Sequence, residues 1–126
     1  MKKLIPLLTL FLIFFTSCAE RIVGTWNVDR YETQKTGQQN LSLKNIGTIT
    51  FNKNNTGEKK LNYSVLGVES FDYVPFRWNS DKSYITISSE NSPISKTWIL
   101  IENKRKSQKW KSTDGSNEIQ ILELSK

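Results

Sequence analysis

The chemistry open to this chain is limited first by residue types that it lacks. Its 126 residues contain no histidine and a single cysteine, Cys18. Nucleophilic Ser–His and Cys–His pairs are therefore excluded, and so is a metal site built on imidazole. Two carboxylates could still act together in catalysis, and the candidate pairs are Glu69 with Asp72 and Asp29 with Glu32. A spacing of three places such residues on opposite faces of a strand. We expect no enzyme activity, no metal site and no cofactor.

The first 17 residues have the pattern of an export signal. Lys2 and Lys3 precede an apolar run over residues 4–15, which is shorter than the roughly 20 residues that span a bilayer. Residues 15–18, Phe-Thr-Ser-Cys, resemble the lipobox of bacterial lipoproteins, in which the cysteine is acylated and becomes the mature N-terminus. The alternatives are a permanent membrane helix and an incidental cysteine in an ordinary signal. A single exported cysteine cannot form an internal disulfide, and acylation accounts for its presence.

The lipobox resemblance implies an anchor and a location. Cys18 would carry acyl chains such as palmitate, and membrane lipid would be its partner. Ala19 rather than Asp follows Cys18, which by analogy with many Gram-negative lipoproteins implies the outer membrane. Loss of residues 1–17 lowers the formal charge from +6 to +4, a mild excess that identifies no partner. We divide the chain into a signal peptide (1–17), a lipidated anchor and linker (18–21) and one domain (22–126).

The rest of the chain has the pattern of an all-β domain. Apolar residues alternate, turn residues separate the runs, and no stretch after residue 20 has sustained helical periodicity. Eight antiparallel strands at hairpin spacing predict an up-and-down barrel, just wide enough for side chains or one small ligand. A β-sandwich is the alternative. The predicted strands span residues 21–31, 46–52, 58–65, 70–78, 84–88, 97–102, 108–112 and 117–124.

Three segments of this prediction are irregular. The polar segment 32–45 is predicted as a long loop. Pro75 interrupts the fourth strand, where we expect a bulge or an edge position because proline cannot donate a ladder hydrogen bond. The nearly all-apolar segment 97–102 is predicted to be covered on both faces.

Several short motifs resemble one family. Gly24-Thr25-Trp26 resembles the Gly-x-Trp signature of lipocalins. The order of Thr48–Asn52, Phe76-Arg77-Trp78 and Tyr84–Ile87 is similar to that in lipocalin-like domains of Bacteroidetes-type lipoproteins. This resemblance implies a lipocalin-like barrel in which Gly24 and Trp26 are structural motif residues. The family is defined by its fold, so it implies no particular ligand.

Lipocalins also pack an arginine near the last strand across the first-strand tryptophan. The last predicted strand has no arginine. Lys109 or Lys111 could substitute for it only through packing of the aliphatic stem.

Aromatic residues are numerous for so small a domain. Their default interpretation is that they fill the barrel as core. The functional alternative is an apolar pocket at the open end of the barrel, lined by Tyr73, Phe76, Arg77 and Trp78 beside Pro75. The whole set is Trp26, Phe51, Tyr63, Phe71, Tyr73, Phe76, Trp78, Trp98 and Trp110.

The densest basic run is Asn103–Lys106, followed by Lys109 and Lys111 with Trp110 between them. Basic residues interleaved with an aromatic can bind nucleic acid, but an exported protein does not meet that partner. A solvated hairpin tip is the default interpretation. An anionic lipid headgroup or a glycan is the functional alternative.

These patterns predict a lipid-anchored lipoprotein of the cell envelope that faces the periplasm or the cell surface. The first hypothesis for its function is binding of a small apolar or amphipathic ligand in the barrel mouth. The alternative is a filled barrel whose outer face, or segment 32–45, meets another envelope protein. A cavity lined by aromatic faces would favour the first hypothesis, and a packed interior the second.

Overall fold

A computed structural model describes residues 19–112 and 118–126 of the chain. A short helical turn leads into nine strands, and no helix within the described residues is long and apolar enough to cross a membrane. The turn is α1 (Ala19–Ile22). The strands are β1 (Gly24–Lys35), β2 (Leu41–Phe51), β3 (Thr56–Val65), β4 (Val68–Asp72), β5 (Phe76–Ser80), β6 (Tyr84–Ser88), β7 (Thr97–Asn103), β8 (Ser107–Ser112) and β9 (Glu118–Ser125).

The sheet closes on itself as an antiparallel barrel. Eight strands follow one another around it in the order β1, β2, β3, β5, β6, β7, β8 and β9, and β9 pairs with β1. The ninth strand, β4, pairs with β3 and with no other strand of the described residues. The prediction of an eight-stranded antiparallel barrel is therefore confirmed, and the alternative of a β-sandwich is wrong.

Pro75 divides what the sequence predicted as one strand into two. β4 pairs with the second half of β3, over Leu61 to Val65. β5 pairs with the beginning of β3, over Thr56 and Gly57, and then with β6. The ladder with β3 stops at Asp72 and resumes at Phe76, directly after Pro75, which has no N–H to donate. The expected irregularity is confirmed, whereas the single strand over 70–78 is wrong.

The predicted loop over residues 32–45 is instead most of a long hairpin. β1 continues to Lys35 and β2 begins at Leu41, and Thr33 pairs with Leu41 on one side and with Gln120 of β9 on the other. Main-chain pairing with β2 and β9 holds residues 32–35 extended, and residues 41–44 pair with β1 alone among the described strands. These polar residues therefore form strands without alternating apolar side chains. The prediction of a loop was wrong for that reason.

Strand direction defines two ends of the barrel. The entry end contains α1 and the β2–β3, β5–β6 and β7–β8 connections. The distal end contains the β1–β2, β3–β4 and β6–β7 connections. Arg21 Nη1 donates to the Asn103 carbonyl oxygen at 3.0 Å, so the first described residues lie against the β7–β8 connection.

Aromatic side chains fill the interior between β1, β2, β5, β7 and β8. The Phe51 ring lies edge-on to the rings of Phe76 and Trp78, with centroids 5.2 and 5.5 Å away, and 5.9 Å from that of Trp110. Edge-to-face pairs at these distances are stabilising beyond the area that they bury. The predicted core role is confirmed for six aromatics: Trp26, Phe51, Phe76, Trp78, Trp98 and Trp110.

Other apolar residues lie outside the barrel. Phe71 and Tyr73 are 60% and 61% exposed, so the core interpretation is wrong for these two. Ile101 is 56% exposed, so β7 is not covered on both faces as its composition predicted. A register shift between Leu100 and Glu102 in the β7–β8 ladder accompanies this outward position of Ile101.

Candidate functional site

A buried ion pair joins β3 to β4. The Lys59 Nζ atom lies 3.0 Å from Asp72 Oδ2, and the two side chains are 0% and 8% exposed. Lys59 occupies an inward-facing position of β3, between Gly57 and Leu61, where strand alternation demands a buried side chain. Lys59 was not among the predicted site residues, although a lysine at an inward position of an alternating strand indicates a buried charge.

Hydroxyl groups extend this pair into a network. Lys59 Nζ donates to Ser89 Oγ at 2.8 Å, and Ser92 Oγ donates to Asp72 Oδ2 at 2.7 Å. The Ser89 hydroxyl also donates to the Pro75 carbonyl oxygen at 3.2 Å. The network thus ties β4, the β4–β5 link and the β6–β7 connection to the barrel wall.

The chemistry of Lys59 follows from its burial. Burial lowers the pKa of Lys59 below that of a free lysine, and the hydrogen bond and charge of Asp72 oppose this effect. A lysine with a lowered pKa can act as a nucleophile, but this one is enclosed and already paired, which suits a structural role. No group of three or more potential metal ligands occurs among the residues that the structure describes.

An open groove of about 890 Å³ runs along the outside of the barrel beside this network. Val74, Pro75 and Phe76 contribute its apolar lining, and Gly57 lies beneath the Phe76 ring. A Cβ at Gly57 would lie 2.1 Å from a Phe76 ring atom, so only glycine allows the ring to cover β3. Three charged residues also line the groove: Glu58, Arg77 and Glu90.

One edge of β4 is open. β3 and β4 are joined by the two-residue turn Leu66-Gly67, with φ of 53° and 81°, the conformation of a type I′ hairpin. In such a hairpin the hydrogen-bonded positions alternate from the turn onward, beginning at Val68. Glu69 and Phe71 therefore direct their main-chain N–H and C=O groups away from β3. No strand in the described part of the chain pairs with that side of β4.

The exposed apolar residues concentrate at this edge. Of nine large hydrophobic residues that are exposed in the described chain, five lie between positions 66 and 74. The Phe71 and Tyr73 rings pack edge-on outside the barrel, with centroids 6.1 Å apart. The five residues are Leu66, Val68, Phe71, Tyr73 and Val74. We call them, with the unpaired main chain of β4, the β4 edge.

The four residues predicted to bind a ligand do not face one cavity. Phe76 and Trp78 point into the core, where Trp78 Nε1 donates to the Thr56 carbonyl oxygen at 2.9 Å. Arg77 and Tyr73 point to solvent. Phe76 and Arg77 line the groove together, whereas Tyr73 belongs to the β4 edge. Ligand binding by these residues stays a prediction. Cys18 and residues 1–17 lie outside the described residues.

The motif residues Gly24 and Trp26 lie at the entry end. Trp26 is fully buried, and its Nε1 donates to the Ile22 carbonyl oxygen at 2.8 Å. The cation over its ring is Lys126, whose Nζ lies 4.7 Å from the ring centroid and donates to the Val23 carbonyl oxygen at 3.1 Å. The cation is therefore neither Lys109 nor Lys111, the two substitutes that the sequence offered. Lys126 follows the last strand, where strand periodicity gives no signal.

A second polar cluster lies inside the distal half. The Tyr31 hydroxyl accepts a hydrogen bond from Gln120 Nε2 at 2.9 Å, and Lys96 Nζ donates to the side-chain oxygen of Gln120. Burial raises the pKa of Tyr31 to about 12. The Gln120 main-chain N–H donates to Ser112 Oγ at 2.9 Å, which joins β9 to β8.

The basic run is not interleaved with an aromatic surface. Lys104, Arg105 and Lys106 are exposed in the β7–β8 connection, but Trp110 is fully buried among core rings. Burial of Trp110 prevents nucleic-acid bases from stacking on it. The three cations of the turn are exposed, as both the solvated tip and the headgroup alternative require.

No family model matches the chain, and no curated protein matches it. Among solved structures, the chain is similar to a redesigned β-barrel, with 13% sequence identity and a TM-score of 0.49. The match covers 86% of this chain and 94% of that protein. The likeness concerns the barrel architecture alone.

Proposed function

We propose that this protein is a lipid-anchored lipoprotein of the cell envelope, attached through acylated Cys18, whose barrel is a non-enzymatic binding module. The proposed partner is an extended segment of another envelope protein, added as a strand to the β4 edge. The observation that carries the proposal is an open strand edge bearing most of the exposed apolar side chains.

The packed interior supports an outside site rather than a site within the aromatic half of the barrel. The rings around Phe51 leave centroid separations of 5.2 to 5.9 Å, which are contact distances. The polar cluster behind β4 is likewise closed by Lys59, Asp72 and the two serines. These contacts hold β4 in place from behind, so its outer edge is presented on a rigid support.

The outer edge offers both parts of strand recognition. The main-chain groups of Glu69 and Phe71 supply hydrogen bonds that any extended segment can satisfy. Phe71 and Tyr73 supply apolar area that a partner would cover. An unpaired edge with exposed aromatics is a liability for a protein that has no partner for it, which favours a natural occupant.

The position of the edge agrees with an anchored protein. The β3–β4 turn lies at the distal end, and the chain enters at the opposite end. Acylation of Cys18, one residue before Ala19, would therefore hold the β4 edge away from the membrane, where a partner can reach it.

A photo-crosslinking residue at Tyr73 in the full chain, expressed in the native host, tests the proposal. We expect a covalent adduct with one envelope protein, and peptide mapping should place the bond in an extended segment. The matched control carries the crosslinker at Ile101, which is also exposed and apolar but lies on β7. A second control is Phe71→Pro, which removes an outward N–H without removing a β3 hydrogen bond.

The outcomes separate clearly. An adduct at Tyr73 that is lost with Phe71→Pro and absent at Ile101 supports the proposal. An adduct with a second copy of this chain would show that the β4 edge binds another copy of the same protein, and would overturn the proposal of a different envelope protein as its partner. Equal adducts at both positions, or none at Tyr73, would overturn the assignment of the β4 edge.

The groove favours a second candidate function, the binding of a small amphipathic ligand. Its volume of about 890 Å³ is within the range of ligand sites, and its lining combines the exposed apolar residues Val74 and Pro75 with cationic Arg77. Native mass spectrometry of the mature domain without Cys18, purified from the export compartment, tests this candidate against a denatured control. A retained mass that Arg77→Glu abolishes supports it. A bare polypeptide mass, repeated after incubation with lipids and metabolites, contradicts it.

A further inference from the structure

The entry end of the barrel carries a cluster of exposed cations from four separate segments. The sequence shows only one of them, the run at 104–106. The topology adds one cation from α1, one from the β2–β3 connection and one from the β5–β6 connection. We call these six residues the basic rim: Arg21, Lys53, Lys82, Lys104, Arg105 and Lys106.

The acids at this end are engaged within the fold. Asp81 accepts hydrogen bonds from the main-chain N–H groups of Ser83 and Tyr84, both at 2.9 Å. Glu102 accepts a hydrogen bond from Ser107 Oγ at 2.6 Å, and this bond with the nearby Lys104 charge lowers the pKa of Glu102. Even with Glu20 of the sequence counted, the six cations of the rim outnumber the acids at this end. The rim is therefore a net positive surface.

The rim surrounds the point where the chain enters the fold. Arg21 donates to the carbonyl oxygen of Asn103, the last residue of β7, and Ile22, the next residue, is buried. Cys18 directly precedes Ala19 in the sequence, and an extended chain spans at most about 3.6 Å per residue. Acyl chains on Cys18, as proposed above, would therefore enter the membrane close to the rim.

We propose that the basic rim binds anionic phospholipid headgroups, so that the barrel rests on the membrane with its entry end. Lysine and arginine side chains near an anionic leaflet are attracted to it, by about fivefold in affinity for each cation. Binding by the rim does not require the acylation proposed above. In the anchored protein it orients the barrel and keeps the β4 edge away from the lipid.

Vesicle binding by residues 19–126 tests this inference without any lipid anchor. This segment contains all nine strands and every residue of the described core, which extends from Ile22 to Leu124. Sedimentation with phosphatidylcholine vesicles is compared with sedimentation with vesicles that also contain phosphatidylglycerol. We expect binding only to the second kind, and we expect it to weaken as salt screens the charges.

Two triple variants with the same change in charge locate the binding surface. Lys104→Gln, Arg105→Gln and Lys106→Gln together should weaken binding on the order of 100-fold. The control replaces Lys35, Lys44 and Lys111 by Gln, which are exposed cations in strands toward the distal end. Tryptophan fluorescence checks that each variant is folded.

The control should bind as the parent protein does. Equal losses in the two triple variants would show that net charge alone drives the binding, and would overturn a specific rim. Equal binding to vesicles with and without phosphatidylglycerol would overturn the proposal that the rim binds anionic headgroups. Neither result bears on Cys18, because the segment tested lacks it, so the anchor and the rim can fail separately.

Discussion

Asp72→Asn is the sharpest test of the support behind the β4 edge. The substitution keeps the size of the side chain but removes the negative charge that lies 3.0 Å from Lys59 Nζ. The ammonium group, with its side chain 0% exposed, would keep the Ser89 hydroxyl as its polar contact at 2.8 Å. Removing one partner of a buried ion pair costs about 3–5 kcal/mol, because the other charge remains desolvated.

A second route to the magnitude starts from the proton. In the variant, Lys59 can stay buried by becoming neutral, which at pH 7 costs about 4.6 kcal/mol for a lysine of ordinary pKa. Burial already lowers the pKa of Lys59, so the actual cost is below that bound. The first route therefore predicts a loss of about 3–5 kcal/mol, and the second limits it to at most about 4.6 kcal/mol.

Denaturant unfolding followed by tryptophan fluorescence measures this loss. For a domain of this size, Tm should fall by on the order of 15–25 °C. The matched control is the double variant Lys59→Met with Asp72→Leu, which should stay within about 2 kcal/mol of the parent protein because apolar replacements of buried pairs are often neutral. A loss below about 1 kcal/mol for Asp72→Asn would refute a desolvated pair.

The pH dependence gives an independent check on the same variant. In Asp72→Asn the pKa of Lys59 should be further below its unfolded value, so the unfolded chain binds more protons between the two values. Stability should therefore rise with pH in that window and level off near the unfolded pKa of about 10.4. A flat profile for the variant would mean that Lys59 is not held in a desolvated environment.

The remaining predictions concern other parts of the fold. Burial raises the pKa of Tyr31 to about 12. Its neutral phenol therefore stabilises the fold up to about pH 10, and this contribution is lost as the pH rises toward 12. In unfolding experiments at alkaline pH, stability should fall less steeply with pH in Tyr31→Phe than in the parent protein. Lys126→Met keeps the aliphatic stem but removes the cation over Trp26, and denaturant unfolding should show a loss of about 0.5–1 kcal/mol. Gly57→Ala places a methyl group 2.1 Å from a ring atom of the groove floor and should cost about 1–3 kcal/mol in the same assay. Cys18→Ser should release the protein from membranes after a high-salt wash, and unchanged fractionation would contradict acylation.

Strand positions were predictable where the signal is local. Trp26 and Val28 alternate with polar neighbours and point into the barrel, as do Ile49 and Phe51. The reversal at Leu66-Gly67 was also predictable, because positive φ at Gly67 has no steric cost for glycine. Each of these features depends on residues within one strand or one turn, so a single stretch of sequence contains the whole signal.

Two of the errors involve partners distant in the chain. Residues 32–35 looked like part of a loop, but main-chain pairing with β9, as between Thr33 and Gln120, extends β1 through them. The cation over Trp26 is Lys126, a hundred residues later in the sequence. The alternation of residues along one strand does not indicate such pairings, because the register between distant strands follows from closure of the barrel.

The sequence by itself therefore determined an all-β chain, its turns, most of its aromatic core and the expectation of an exported, acylated N-terminus. Tertiary structure decided which side chains meet. It placed Asp72 against Lys59, left the Glu69 and Phe71 main chain unpaired, and gathered cations from four segments around the chain entry. Periodicity determines which face of a strand a residue occupies, whereas strand order and register determine which residues lie next to it. Both proposed binding surfaces depend on strand order and register, so the sequence pattern did not predict them.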